Sequence, residues 1–401
     1  MSGTESRVAL VLSYSDIESD PRVRREIDWL VSDGWIVDTL GLGAHPTPQV
    51  RDHFALAPPP RWVTGKLGTV ISHRLLPARR RFRLFLTDRV PHALLERLRG
   101  GTYGVVVFNE YEFTPWVADP RDFTAAARRA GLHLDIHEYR APGRRRQTLG
   151  GRITGNHYSW VRRHIGHPAF TSRSVVNRPI GEMYAREFGF APPVPVRNAP
   201  QFVDGVPSQV DRGRIRLLFH GMASWQRGFT EILEAMRTLP SRFTMTFMLM
   251  PHPQRIAQLQ AAIDAHPARD RIEIVPPAPM PEIARRINEY DLEIIFYRPL
   301  EANLEFALPN KFFEAVQGRL GVVIGESPAM AEIVRHYGNG VIVSGFEASD
   351  LTATLAALSE DDVVRYKAAA HLAADELNAE AEGEAFLNAI DPTRAERTTP
   401  Q

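Results

Sequence analysis

Short apolar runs alternate with amphipathic stretches along the chain, and the alternation runs through twice. In the first half, apolar runs at 8–13, 36–40, 105–108, 132–136 and 169–172 have the length of buried strands, while helical periodicity falls near 122–130, 156–165 and 179–188. Asp20-Pro21 marks a helix start with proline in the first turn, and Gly34 stops that helix after residue 32. The stretch 45–100 is less regular, with prolines from Pro46 to Pro60 followed by basic segments of helical character. The second half restarts the pattern. Strands are predicted at 215–219, 243–249, 272–275, 292–297, 320–324 and 341–344, and helices near 228–238, 254–265, 281–289, 310–317, 328–335 and 348–359. Strands separated by helices predict βαβ units and parallel sheets with right-handed crossovers. The Pro-rich stretch 191–200 reads as a link between lobes. The expected class is therefore α/β: two doubly wound parallel-sheet lobes, 1–200 and 201–375, facing a cleft. Residues 376–401 are expected to complete an Ala-rich helical stretch over 361–390 and a disordered tail from 391.

Composition narrows the class without naming a chemistry. A length of 401 residues suits two domains, and 44% apolar with 24% charged residues is globular. The absence of cysteine excludes disulfides, thiolate metal sites and cysteine nucleophiles, and it fits a reducing, cytoplasmic setting. The start MSGTESRVALVLSYSD lacks the features of a signal peptide, and no uncharged run is long enough to span a bilayer.

Charge is divided unevenly. Residues 1–200 hold 29 Lys+Arg against 19 Asp+Glu, whereas residues 201–401 hold 19 against 28. The densest positive stretch is 61–99, including Arg79, Arg80, Arg81 and Arg83, and a second cluster comprises Arg140, Arg144, Arg145 and Arg146. Such charge is either a solvated face or the footprint of an anionic acceptor or membrane surface, the latter giving peripheral attachment at the inner membrane face. No recognised nucleic-acid motif accompanies it, so nucleic acid is not an expected partner.

Candidate chemistry concentrates where predicted strands meet helices. Only three of the 48 basic residues are lysine, and one of them, Lys311, precedes Glu314 by about one helical turn. A compact ammonium suits a point contact with an anion better than the planar guanidinium does. The stretch His220-Gly221-Met222-Ala223-Ser224-Trp225-Gln226-Arg227-Gly228 leaves the first strand of the second lobe and opens a helix, where free backbone N–H groups favour anions. It is neither a Walker sequence nor a GxGxxG fingerprint, which disfavours a nucleoside triphosphatase or an ordinary dinucleotide site. No residues show metal-ligand spacing, so no metal is expected.

Several motifs together resemble the retaining glycosyltransferases of family 4, over nearly the whole length. These are Asp20-Pro21-Arg22-Val23 at a helix start, Asp135-Ile136-His137-Glu138 at a strand end, Arg197-Asn198-Ala199-Pro200 before the second lobe, Gly221 with Arg227-Gly228, and Leu308-Pro309-Asn310-Lys311-Phe312-Phe313-Glu314. The resemblance implies the GT-B fold, two facing Rossmann-like lobes, and a hexosyltransferase moving sugar from a nucleotide-diphosphate sugar to an acceptor hydroxyl with retention, with no cofactor. It implies that Arg227 and Lys311 hold the diphosphate and Glu314 the ribose, with Gly221, Gly228, Glu305 and Asn310 completing the donor site. His137 is implied at the reacting centre; Arg22, Asn109, Glu110 and Glu138 are the acceptor-side candidates, for a small-molecule, glycan or lipid-linked acceptor. The chain departs from the family at Phe306, where the first glutamate of the usual pair is expected and Glu305 lies beside it, and at Met222, where many relatives carry arginine. A nucleotide-sugar epimerase and a non-catalytic sugar-nucleotide-binding protein remain alternatives.

Overall fold

Every strand pairing among the described residues is parallel, and the pairings close into two separate sheets. The structure, a computed structural model, describes residues 7–142 and 157–394. The first sheet comprises β1 (Val8–Asp16), β2 (Ile36–Leu42), β3 (Asp52–Ala55), β4 (Val105–Asn109), β5 (Gly131–Ile136), β6 (Ser172–Val175) and β7 (Val194–Pro195), ordered β3-β2-β1-β4-β5-β6-β7. The second comprises β8 (Ile215–Gly221), β9 (Phe243–Leu249), β10 (Ile272–Val275), β11 (Leu292–Ile295), β12 (Gly321–Gly325) and β13 (Gly340–Val343), ordered β10-β9-β8-β11-β12-β13. Each sheet winds outward in both directions from its first strand. The order therefore reverses between β1 and β4 and again between β8 and β11, and ligands of such sheets bind beyond the strand carboxyl ends at these points.

The central strands are apolar because helices cover both faces. All five residues of β4 (VVVFN) are buried, as are the first six of β1. Val11, Val107 and Ile27 lie in the first core; Phe219, Phe247, Ile294 and Val323 lie in the second.

The chain divides into one unit of residues 1–196 with 383–401 and another of residues 197–382. The final helix, Ala379–Ile390, carries Phe386, Leu387 and Ile390 into the core of the first unit, against Val105 and Val196 among others. Beyond it Arg394 pairs with Asp33 at 2.9 Å; the remainder of the tail, 395–401, lies outside the described residues.

The structure corrects several expected elements. The strand expected at 169–172 begins instead at Ser172, because the serines of β6 are what β5 requires: Ser172 and Ser174 each lie 2.8 Å from a ring nitrogen of the buried His133. The helix expected at 122–130 is reduced to a 3₁₀ turn, Ala127–Arg129, since the strand Gly131–Ile136 begins almost at once. The irregular stretch hides an unpredicted strand, β3, paired with β2, and the Pro-rich link supplies β7, where edge position tolerates proline. The long terminal helical stretch is two helices, Glu360–Ala373 and Ala379–Ile390, the second begun by Asn378, whose Oδ1 accepts from the Ala381 N–H at 2.8 Å.

Candidate functional site

At the carboxyl end of β8 the chain places His220 and Gly221 beside the switch point of the second sheet. Gly221 has φ +116, a conformation that L side chains rarely adopt, and a Cβ there would lie 3.8 Å from Lys311 Cε. Gly228, at φ +90, caps the helix Phe229–Thr238, and a side chain there would overlap the Phe296 carbonyl oxygen. Both glycines named by sequence are thus required by geometry.

Lys311 sits in the first turn of the helix Asn310–Gln317, which follows Pro309. Its side chain is buried. The ammonium lies 3.2 Å from Glu293 Oε1 and 3.2 Å from the centroid of the Phe219 ring, yet makes no directed hydrogen bond. Burial lowers its pKa to about 8, with Arg227 adding to the effect and Glu293 and Glu314 opposing it. Arg227 is half-buried, its guanidinium 5.6 Å from the centroid of the Tyr297 ring. The Tyr297 hydroxyl is pushed up to about 12, chiefly by burial. Two cations therefore stand near enough to repel each other, and one of them has unspent donors.

Two residues to which sequence reasoning gave no role complete this cluster. Glu293, fully buried on β11, accepts from the His220 backbone N–H at 3.1 Å and lies 3.0 Å from His220 Nδ1. His220 Nε2 reaches Glu314 Oε2 at 2.8 Å. Burial opposes charge on the imidazole, but Glu293 and hydrogen bonds to both carboxylates raise its pKa to about 9. A legible signal existed: a glutamate inside the apolar run Leu292–Tyr297 has to be paired if that run is a buried strand.

Glu305 and Asn310, expected at the donor site, are exposed and enter none of these contacts. Glu305 ends the short helix Ala302–Glu305; its carbonyl, not its carboxylate, is engaged, accepting from Ser327 Oγ at 2.8 Å.

The first unit has its own polar cluster at the ends of β4 and β5. Asp20 caps the helix Pro21–Ser32, accepting from the N–H groups of Arg22 at 3.2 Å and Val23 at 3.3 Å. Arg22 then grips the buried Asp135 through both oxygens, at 2.5 and 2.6 Å. His137 stands with Nε2 2.7 Å from Asp135 Oδ2 and Nδ1 3.4 Å from Glu110 Oε1. Burial opposes its charge, but Asp135 and Glu110 leave its pKa raised. Asn109 donates to Glu26 at 2.9 Å, and Glu26 is raised well above the carboxylate range by burial and by Asp135. Asp135 itself, despite burial, is held well below that range by Arg22 and His137. Glu110, at φ 62, and the exposed Glu138 both lie 3.4 Å from Arg140. The structure thus joins His137, Arg22, Asn109 and Glu110 in one network and leaves Glu138 at its margin.

Among the described residues, Glu26, Asp135 and His137 form the one group with metal-ligand proximity. Arg22 already engages both Asp135 oxygens and Glu26 favours its protonated form, so the group is built as an ion-pair network.

Much of the basic charge at 61–99 is paired within the chain. Arg89 donates to the carbonyls of Ala57 and Phe85, Arg97 pairs with Asp38 and Asp52, and Arg99 pairs with Asp122. Arg79 and Arg80 remain exposed on the helix Ala78–Phe85; Trp62, Ile71 and Leu75 are exposed on the two preceding helices, Arg61–Thr64 and Lys66–Leu75. Arg144, Arg145 and Arg146 lie outside the described residues. No helix among the described residues is long and apolar enough to cross a membrane.

No family model matches the chain, and no curated protein matches it in sequence. Solved structures do match in fold. A glycosyltransferase from Rickettsia africae superposes with TM-score 0.63 at 12% identity, covering 98% of this chain and 99% of that one. Sucrose-phosphate synthase from Thermosynechococcus elongatus gives 0.64 at 14% identity, with 97% and 99% covered. The Anabaena protein HepE, in complex with UDP and glucose, gives 0.62 at 12% identity, with 96% and 99% covered. Two doubly wound parallel sheets and full-length likeness to these structures identify the fold of the chain as GT-B.

Proposed function

We propose that the chain is a glycosyltransferase that takes a sugar from a nucleotide-diphosphate sugar and transfers it to an acceptor hydroxyl with retention of configuration. The observation that carries this reading is the buried Lys311 ammonium, beneath Gly221 and close to Arg227, with donors unspent at the switch point of a doubly wound sheet. Two mutually repelling cations gain most from an anion bound between them, and a diphosphate supplies that charge. The glycosyltransferases that share the fold support the same reading, as does the nucleotide bound to HepE.

In the reaction the acceptor oxygen bonds to the anomeric carbon as the bond from that carbon to the diphosphate oxygen breaks. Both events occur on one face of the sugar, and the acceptor proton passes to a leaving phosphate oxygen. Lys311 and Arg227 stabilise charge growing on the departing nucleotide. Glu314 holds the ribose. His137, fixed by Asp135 and Glu110, is assigned to the reacting centre. Arg79 and Arg80, with the exposed Trp62, Ile71 and Leu75, support contact with an anionic membrane surface carrying the acceptor.

The test is a screen of nucleotide sugars for release of the nucleoside diphosphate, with and without lipid or glycan acceptors. Acceptor-dependent release supports transfer. Conversion of the donor sugar without acceptor would instead indicate an epimerase.

A further inference from the structure

We infer that His220 is a positioning residue for nucleotide recognition: it clamps one oxygen of Glu314 and leaves the other for the ribose diol. This rests on the donor-site reading above and adds the residue that determines how Glu314 is presented. The His220 ring joins two carboxylates from different elements, Glu293 on β11 and Glu314 on the helix Asn310–Gln317, at 3.0 and 2.8 Å. The Glu293 carboxylate is fixed in turn by the His220 backbone N–H at 3.1 Å and by Lys311 at 3.2 Å. Only Oε2 of Glu314 is engaged; among the described residues its Oε1 makes no hydrogen bond, and the side chain keeps 17% of its surface exposed.

The consequence is a division of labour. An unclamped glutamate in the second turn of a helix samples several rotamers, and each hydroxyl contact would have to order it. A clamped one is ordered before the ligand arrives, so the gain appears as affinity for a diol rather than for phosphate. The imidazole serves this purpose better than an amide because, with a proton on each nitrogen, it donates to both carboxylates at once. Lys311 pairs with Glu293 Oε1, the oxygen that the His220 backbone N–H also holds, whereas the ring engages Oε2, so the diphosphate side of the cluster is held without the imidazole.

The test compares ligands that differ only in the diol. Uridine, adenosine, guanosine and cytidine diphosphates are titrated calorimetrically into the full chain, and the tightest is compared with its 2′,3′-dideoxy counterpart and with inorganic pyrophosphate. His220→Phe, which keeps a planar ring without donors, should lose about tenfold in affinity for the nucleotide, the scale of one hydrogen bond to a charged group. Binding of the dideoxy nucleotide and of pyrophosphate should change little, which also reports an intact fold. His220→Gln, which keeps an N–H₂ donor, should recover part of the loss and carries the same comparison should the phenylalanine variant not fold. Equal losses for the diol and dideoxy ligands, or no loss for either, overturn the inference. A wild-type chain that binds none of the nucleotides brings down the donor-site reading itself.

Discussion

Lys311 and Glu293 form a buried ion pair of 3.2 Å in which the ammonium makes no directed hydrogen bond. Coulomb attraction without hydrogen bonding leaves a charge held in place but incompletely satisfied, a costly arrangement in a core and a useful one beside an anion site. The central prediction follows from that pair. Lys311→Ala and Arg227→Ala should each slow transfer by about 2–4 kcal/mol in kcat/KM, the loss of one preorganised charge at a leaving group. The check is nucleoside diphosphate release by the purified, folded variants; wild-type turnover in either removes that residue from the diphosphate site.

Proton uptake should accompany binding. Burial holds Lys311 near pH 8, below its ordinary value of 10.5. A bound diphosphate favours the charged form, so above about pH 8 binding takes up a proton and affinity falls as pH rises. Calorimetry in two buffers of different ionisation enthalpy measures the uptake, which should be present at about pH 8.5 and shrink as the pH is lowered well below 8, where Lys311 is already charged before binding.

The Arg22–Asp135 pair should matter for stability. Arg22→Met leaves Asp135 buried with His137 and Ser174 but without its principal counter-ion, and should cost about 3–5 kcal/mol in denaturant unfolding. The Asp135 pKa is depressed on folding, so its contribution is present above the ordinary value of 3.8 and is lost as pH falls below it. Glu26 has the opposite sign: its raised pKa makes ionisation unfavourable to the fold as pH rises. Glu26→Gln, which can still accept from Asn109, should therefore change stability at neutral pH by less than about 1 kcal/mol.

His137→Ala should separate rate from affinity. The proposed nucleotide residues all belong to the unit of residues 197–382, whereas His137 belongs to the other. Turnover should fall far more than nucleoside diphosphate affinity, as for a contact made mainly in the transition state. Equal losses in both would return His137 to a purely structural role in the Asp135 network.

Arg79→Glu combined with Arg80→Glu should reduce co-sedimentation with phosphatidylglycerol vesicles at low salt, each lost arginine removing about 1 kcal/mol of attraction. Wild-type protein that does not sediment with these vesicles, yet transfers sugar to a soluble acceptor, would contradict the membrane assignment.

The sheets were legible in the sequence because a parallel sheet covered on both faces writes itself as continuous apolar runs, as in Val105–Asn109. Strand β6 was not, because Ser172 and Ser174 serve the buried His133 rather than an apolar neighbour. The 3₁₀ turn at Ala127–Arg129 has alanine-rich helical composition but no room before β5. Gly221, Gly228, Lys311 and Glu314 stand out as candidates in the sequence because strand-end glycines and helix starts have local signatures. His220 and Glu293 could not be paired from sequence: they lie 73 residues apart and meet only through the adjacency of β8 and β11. The family motif placed a glutamate near 306, and the structure leaves Glu305 in solvent, so the motif's spacing did not carry over into a side-chain contact.

The most direct test is calorimetric titration of uridine, adenosine, guanosine and cytidine diphosphates into wild type and Lys311→Ala, followed by turnover of the corresponding nucleotide sugars. The diphosphate assignment of Lys311 requires that at least one diphosphate binds wild type, that its sugar conjugates are consumed, and that Lys311→Ala loses both properties while remaining folded. A wild-type chain that binds none of the four, or a Lys311→Ala variant that binds and turns over as well as wild type, would contradict it.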